Sequence, residues 1–477
     1  MKVLFVVPPF AQIYGSYRHL YRKGFLNPPL GLCYLAASLS RGGHEARIVD
    51  GEAESLSPDE IVSRAREFRP DVLAFTATSV DFDRARQIAG VLKCALPDTP
   101  SILGGTHVNI FGPQVLEETP AFDFGCVGDG EDLIVEFADA LAASEGGRLA
   151  QIPGLLRRED GHVLADPPRP VEKNIDRYPF PARELLRNEL YVRAVPRRGY
   201  RQTAAVMSSR GCPYSCVYCA VKSIYGGTRV RLRSAENVLD EIEQIVDRFG
   251  ITHLGFNDDC LTLSRERMLA LCEGIRKRGL KFTWEGLSRA DLVDRELLTA
   301  MRDAGFVRIS FGIESGNPEI LKVIRKSETL EQIEEAFRIA RQVGIVARGS
   351  VIIGLPYETR DTVMQTFRFV NRLKGIDQVI VNILQPYPGT EVREMVLRGD
   401  GGSRYVDGAA SGGNLRRFGS ATVTVNDLSG RDLVFLQKYG FLRFYLRPSV
   451  IYNHLRIAGW KTFAADAVGF LRSIAGV

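Results

Sequence analysis

The stretch Cys212-Pro213-Tyr214-Ser215-Cys216-Val217-Tyr218-Cys219 decides the reading of this chain, because its three thiols, spaced by four and three residues, can all reach one small inorganic cluster. A four-iron cluster held by three thiolates keeps one iron open to a ligand, and thiolates are the usual protein ligands of such clusters. A structural zinc site wants four ligands, and the nearest later candidates, His253 and Cys260, stand more than thirty residues on in a different predicted element. A disulfide would strand an odd thiol. The N-terminus reads as a strand rather than a secretion signal, since the apolar run Val3–Val7 is short and stops at Pro8-Pro9. Cys33, Cys94, Cys126, Cys260 and Cys272 show no paired spacing and read as small buried residues.

The 477 residues suffice for about three domains of ~150 residues each. Hydrophobic residues make up 45% and charged residues 25%, the balance of an ordinary globular protein. Lys plus Arg (62) against Asp plus Glu (57) gives a net charge of +5, too mild to argue for nucleic acid as a partner. The local basic runs, Arg197-Arg198 with Arg201 and Arg229, Arg231 and Arg233, read as solvated faces. No apolar run approaches the ~18 residues of a membrane span, so a cytoplasmic protein is expected.

Working outward, the pattern is α/β throughout. Residues 1–148 alternate short apolar strands (Val3–Val7, Ala46–Val49, Val72–Thr76, Ser101–Leu103, Phe122–Val127) with helices near Pro29–Arg41, Pro58–Phe68, Asp81–Leu96 and Glu131–Ala143, the pattern of a doubly wound, Rossmann-like parallel sheet. Residues 149–200 are a connector whose proline and arginine density resists regular structure. In 201–395, six strands (Gln202–Ser208, His253–Asn257, Lys281–Glu285, Val307–Gly312, Ala347–Ile353, Gln378–Leu384) alternate with helices, which predicts a partial TIM-type barrel of six βα units. Residues 396–477 return to helical patterning through Leu433–Leu446 and Val450–Ile474 after Gly-Ser-rich loops such as Ser411–Gly413. Ligands of both folds bind at strand carboxyl ends.

The cysteine spacing, the aromatic Tyr218 before the last cysteine and the position after the first barrel strand resemble the signature of radical S-adenosylmethionine (SAM) enzymes. Further segments are similar to elements of that superfamily: Phe256-Asn257-Asp258-Asp259, Gly312-Ile313-Glu314-Ser315-Gly316, Gly349–Pro356 and Pro386–Thr390. The resemblance implies that Cys212, Cys216 and Cys219 hold a 4Fe–4S cluster, which cleaves SAM to methionine and a 5′-deoxyadenosyl radical. It also implies a SAM site drawn from Tyr218, Asp258, Asp259, Glu314, Ser315, Arg348 and Ser350. Plainer readings stand beside these: the acidic pair as a helix cap, although Ser264 is better placed; Gly316 as a turn; Arg348 as an exposed arginine.

The N-terminal turns resemble those of the cobalamin-binding domain that precedes many radical SAM cores, which implies a corrin near Thr76, Ser79, Gly104-Gly105-Thr106-His107 and Gly128, Gly130 and Glu131. The cobalt-ligating motif D-x-H-x-x-G is missing, since His19 has Tyr17 before it and no glycine after it. His107 reads more simply as a partly buried histidine bonded to a neighbour. Pairing of both domains implies cobalamin-dependent methylation of a small molecule, with a flavodoxin- or ferredoxin-type reductant. The alternative is a radical SAM dehydratase, cyclase or isomerase of an (amino)sugar or antibiotic pathway, with an empty or structural N-terminal domain. Cys260 reads as an inert thiol, and Trp284, Tyr214 and Tyr225 as packing or site-lining aromatics.

Overall fold

The computed structural model describes residues 1–11, 26–143, 149–196, 198–406, 419–460 and 468. His19 and Tyr17, Arg197, the loop Ser411–Gly413 and the expected helix beyond residue 460 lie outside these, Val468 excepted. The chain divides into two compact units, one of residues 1–13, 27–191 and 223–227 and the other of 14–26, 192–222 and 228–477.

In the first unit Lys2–Val7 (β1), Glu45–Asp50 (β2), Val72–Thr76 (β3), Ser101–Gly104 (β4) and Phe124–Cys126 (β5) form a parallel sheet in the order β2-β1-β3-β4-β5. Successive side chains of a strand point to opposite faces. Val3, Phe5 and Val7 therefore pack with Leu32, Leu133 and Phe137 of helices Leu30–Arg41 and Glu131–Ala142. Leu4 and Val6 pack on the other side with Ile61, Ala65, Ile88 and Leu92 of helices Pro58–Phe68 and Phe82–Ala95. Helices on both faces are why β1 is an unbroken apolar run rather than an alternating one.

The connector departs from expectation. Leu155–Glu159 (β6) and His162–Ala165 (β7) form an antiparallel hairpin that extends this sheet beyond β5. Its turn is Asp160-Gly161, both at positive φ (49° and 80°), the Asp-Gly pair that two-residue hairpins favour. The prolines sit in the flanks, where they interrupt no ladder.

In the second unit Val192–Val195 (β8) pairs with Gly199–Gln202 (β9), and Ser209–Arg210 (β11) with Arg231–Leu232 (β12). Between them Ala204–Val206 (β10) opens a sheet completed by His253–Phe256 (β13), Thr283–Ser288 (β14), Phe306–Glu314 (β15), Val346–Ile353 (β16) and Ile376–Ile383 (β17). All six strands run parallel in sequence order, the open barrel that the strand–helix alternation predicts. The helices begin on side chains that accept from their own first turn: Ser234, Ser264, Asp294, Thr329 and Thr359. Trp284 is a core residue whose Nε1 donates to Ala304 O at 2.8 Å.

Two further expectations are corrected. Arg231 and Arg233 are buried rather than solvated. Arg233 donates to Glu241, to Asn237 Oδ1 (2.7 Å) and to Met207 O (3.0 Å), so its charge is met inside the fold. Cys94 is exposed, whereas Cys33, Cys126, Cys260 and Cys272 are buried. No helix among the described residues is long and apolar enough to cross a membrane.

Candidate functional site

The cysteine loop follows the first barrel strand and is fixed from below. Asp258, at the end of β13, accepts from Ser208 N (2.7 Å), Ser208 Oγ (2.5 Å) and Ser209 Oγ (2.6 Å). Asp259 accepts from Gly211 N at 3.0 Å. Gly211 has φ +92°, and a Cβ there would collide with the carbonyl oxygen of Arg229, so only glycine fits before the first cysteine. Val217 is clamped on both sides: its N–H donates to Ile324 O (3.1 Å) and its carbonyl accepts from Val392 N (2.9 Å).

Cys212, Cys216 and Cys219 are partly buried and close enough for Cys219 to feel the charges of both others. Burial raises all three thiols, Cys219 to about 11. Among the described residues no three His, Cys, Asp or Glu side chains converge on one metal ion.

Around the loop lies a buried charge network. Glu314, the last residue of β15, stands at φ 62°, in the left-handed region that non-glycine residues rarely occupy. Its carboxylate folds back to where a Cβ on Gly312 would sit. It accepts from the Tyr218 hydroxyl, and Lys326 Nζ lies 3.8 Å away. Burial raises Glu314 and outweighs Lys326. Lys326 pairs with Glu328 at 3.0 Å, and Glu328 also accepts from Ala290 N at 2.6 Å. The Arg289 guanidinium stacks 3.7 Å over the Tyr214 ring and makes two 2.9 Å bonds to Asp291. Backbone strain sustained by surrounding packing is characteristic of working sites.

Of the expected SAM residues, Tyr218 lies between Cys216 and Cys219, Asp259 accepts from Gly211 N beside Cys212, and Glu314 accepts from the Tyr218 hydroxyl. The structure does not bring Asp258, Ser315 or Arg348 there. Asp258 is fully engaged under the loop. Ser315 is buried and accepts from Asn317 N at 3.2 Å. Arg348 is not exposed and lies in the first half of β16. Ser350 keeps partial surface. Lys326, Arg289, Glu328 and the Ser208-Ser209 pair escaped the sequence reading; the one signal for Lys326 was a basic pair, Arg325-Lys326, just before a capped helix.

In the first unit, Thr76 and Gly104 end neighbouring strands β3 and β4. Gly105, at φ +96°, leaves no space for a Cβ, which would lie 2.6 Å from Thr76 Oγ1 and 2.7 Å from Ala77 O. Thr106 starts the helix Thr106–Phe111. His107 bonds through Nδ1 with Ser79 Oγ at 3.0 Å and sits between the rings of Phe82 (3.9 Å) and Phe111 (4.6 Å). Burial lowers it to about 4, so the imidazole is neutral and engaged, the plainer of its two readings. Gly128, at φ +93°, has open space where a Cβ would be, and its N–H donates to Asn109 Oδ1 at 2.8 Å. Gly130 caps the helix that begins at Glu131, a buried residue. Glycines at two adjacent strand ends, one beside open space, suit close approach of a large flat ligand.

Residues 206–370 match the radical SAM superfamily and residues 23–138 the B12 binding domain. The uncharacterized methyltransferase PH0819 of Pyrococcus horikoshii is 34% identical over 454 residues, 94% of each chain. The anaerobic magnesium-protoporphyrin IX monomethyl ester cyclase of Rubrivivax gelatinosus is 29% identical over 379 residues, 77% of this chain and 65% of the cyclase. Among solved structures, the radical SAM methyltransferase TsrM from Kitasatospora setae superimposes with a TM-score of 0.73 at 19% identity, over 94% of this chain and 89% of that one, a likeness of fold. The chain belongs to the radical SAM superfamily, in the branch that carries a B12-binding domain. It is an enzyme, and its cofactors are those its two domains define: a 4Fe–4S cluster with SAM, and cobalamin.

Proposed function

We propose that the chain is a cobalamin-dependent methyltransferase that adds a methyl group to carbon in a small molecule. The observation that carries this reading is the 34% identity to a methyltransferase across 94% of both chains, so both domains match together. When bound, the cluster and SAM supply a primary carbon radical that removes a substrate hydrogen, and cobalamin supplies the methyl group. The protein's share is binding, orientation and exclusion of water.

In this reading Cys212, Cys216 and Cys219 hold three irons. Asp259 and Glu314 offer carboxylate oxygens for the ammonium and hydroxyl groups of SAM, since an ionised carboxylate accepts only. Tyr218 orients Glu314, and Lys326 is the cation that Glu314 shares with Glu328. Ser350 contributes from the barrel interior. Asp258 acts on the reaction only through the loop it fastens. Thr76, Ser79, Gly104, Gly105, Thr106, Gly128, Gly130 and Glu131 border the corrin, and His107 shapes that border without ligating cobalt. A flavodoxin- or ferredoxin-type protein in a reducing compartment supplies the electron.

The test uses the chain purified anaerobically with its cluster reconstituted, measuring bound cobalamin and S-adenosylhomocysteine alongside 5′-deoxyadenosine. Deoxyadenosine formed with neither bound corrin nor homocysteine product overturns the proposal. That outcome favours the second reading, a radical SAM cyclase or related enzyme, which the cyclase relative at 29% identity keeps in play.

A further inference from the structure

Along β16 and β17 fully buried residues alternate with residues that keep surface. Ala347, Val351 and Ile353, with Val379, Val381 and Ile383, belong to the core beneath the helices. Arg348, Ser350 and Ile352, with Gln378, Ile380 and Asn382, therefore face the barrel interior. In a closed eight-stranded barrel that interior is filled by layers of side chains. Here its residues remain partly accessible, so the interior is a recess.

The floor of the recess is charged. Gly255 has no side chain, and the guanidinium of Arg193 occupies the place, 3.0 Å from where a Cβ would stand. Arg193 donates to Glu285 Oε1 at 2.6 Å, and Arg308 donates to Glu285 Oε2. His253 Nε2 lies 3.6 Å from the same carboxylate. Burial pushes Glu285 up, but Arg308, His253 and Arg193 together hold it well below the usual carboxylate range. Its two oxygens are thus committed.

One step higher stands Arg348, beside Ser310 on β15 and Gln378 on β17. Its bond is to a neutral group, Nε to Gln378 Oε1 at 3.2 Å, and among the described residues no carboxylate reaches it within ion-pair distance. The oxygens of Glu285 are therefore taken by Arg193 and Arg308, not by Arg348. Burial and the neighbouring Arg308 push Arg348 down to about 10, which still leaves it charged at neutral pH. A half-buried cation held by one neutral hydrogen bond and no carboxylate is costly, and a fold that keeps one has a use for an anion there.

We propose that the barrel recess receives an anionic group of the substrate, a carboxylate or a phosphoryl group, on Arg348 with Gln378 and Ser310 beside it. The inference rests on the small-molecule reading given above and narrows its substrate class. It also moves Arg348 away from SAM: the residue lies five positions before the end of β16 at Ile353, about 16 Å below the rim at the usual rise per residue.

The test takes the full chain, anaerobic and with its cluster reconstituted, and follows its thermal midpoint against inorganic phosphate, acetate and chloride at matched ionic strength. A ligand bound by the folded state raises the midpoint saturably. The expected result is saturable stabilisation by phosphate or acetate beyond chloride, the stronger of the two naming the group. Arg348→Gln should need at least about tenfold more of that anion, while its SAM affinity stays within about twofold of the parent. Arg348→Lys, which keeps the charge, should retain part of the response, and Gln378→Leu provides a second variant if Arg348→Gln does not fold. Equal anion response in parent and Arg348→Gln, no preference over chloride, or loss of SAM affinity in place of the anion response each overturns the proposal. A chain that makes no S-adenosylhomocysteine but keeps the Arg348-dependent response loses the methyl-transfer reading and retains this one.

Discussion

The two units build the carboxyl ends of their parallel sheets in opposite ways. At the ends of β4 and β5 the surface is mostly backbone: Gly104, Gly105, Gly128 and Gly130, with one neutral histidine held by Ser79. At the ends of β10, β13 and β15 it is side chain: three thiols, Asp258, Asp259, Glu314 and the cations Lys326 and Arg289. The difference teaches that a site made of backbone is destroyed by adding atoms, and a site made of charges by removing them.

The largest expected effect comes from deleting a ligand. Cys216→Ala should lose cluster iron and all reductive SAM cleavage while still binding cobalamin, measured by iron content and the corrin spectrum. Loss of both cofactors together would break the comparison, because the sites would then not be separate. Next, Gly105→Ala forces a Cβ against Thr76 and Ala77; corrin affinity should fall by about tenfold or more with iron content unchanged. If corrin binding survives intact, the backbone cradle is not where the ligand sits.

Lys326→Met leaves Glu314 and Glu328 buried without their cation. Breaking such a pair from one side should cost about 3 kcal/mol, read as a lowered denaturation midpoint. A neutral result would mean the network is not charged as drawn.

The smallest effect is set by pH. Glu358 is fully buried behind the turn after β16, accepts from Gly354 N (2.7 Å) and Leu355 N (3.0 Å), and is raised by burial to about 8. Unfolded, it titrates near 4.3. Between those values the unfolded chain binds fewer protons than the folded one, so stability falls as pH rises from about 4.3 to 8. Glu358→Gln should remove that slope and gain about 3 °C over the parent between pH 5 and pH 8. An advantage that does not grow with pH would show that Glu358 is ionised in the fold.

The sequence was most legible where one local rule governs. Strand–helix alternation predicted the six barrel strands, and the cysteine spacing predicted the loop, since both are read within a few residues. The hairpin β6–β7 carried its own signal in Asp160-Gly161, which proline density obscured. Arg233 resisted because its burial depends on partners such as Glu241 and Met207 that spacing does not announce. Asp258 and Asp259 look alike in sequence; only the fold turns one onto Ser208 and Ser209 and the other toward the thiols.

The open barrel ends at β17, and among the described residues no further strand pairs with its outer edge in the sheet. Helix Gly430–Tyr445 fastens that edge with two side chains, Gln437 Nε2 donating to Val381 O at 2.7 Å and Tyr445 meeting both the oxygen and the nitrogen of Val379. A row of unpaired backbone groups is a template for another chain. A protein cut short before Gly430 would therefore be sticky rather than merely smaller, and would be expected to assemble with its own copies along β17.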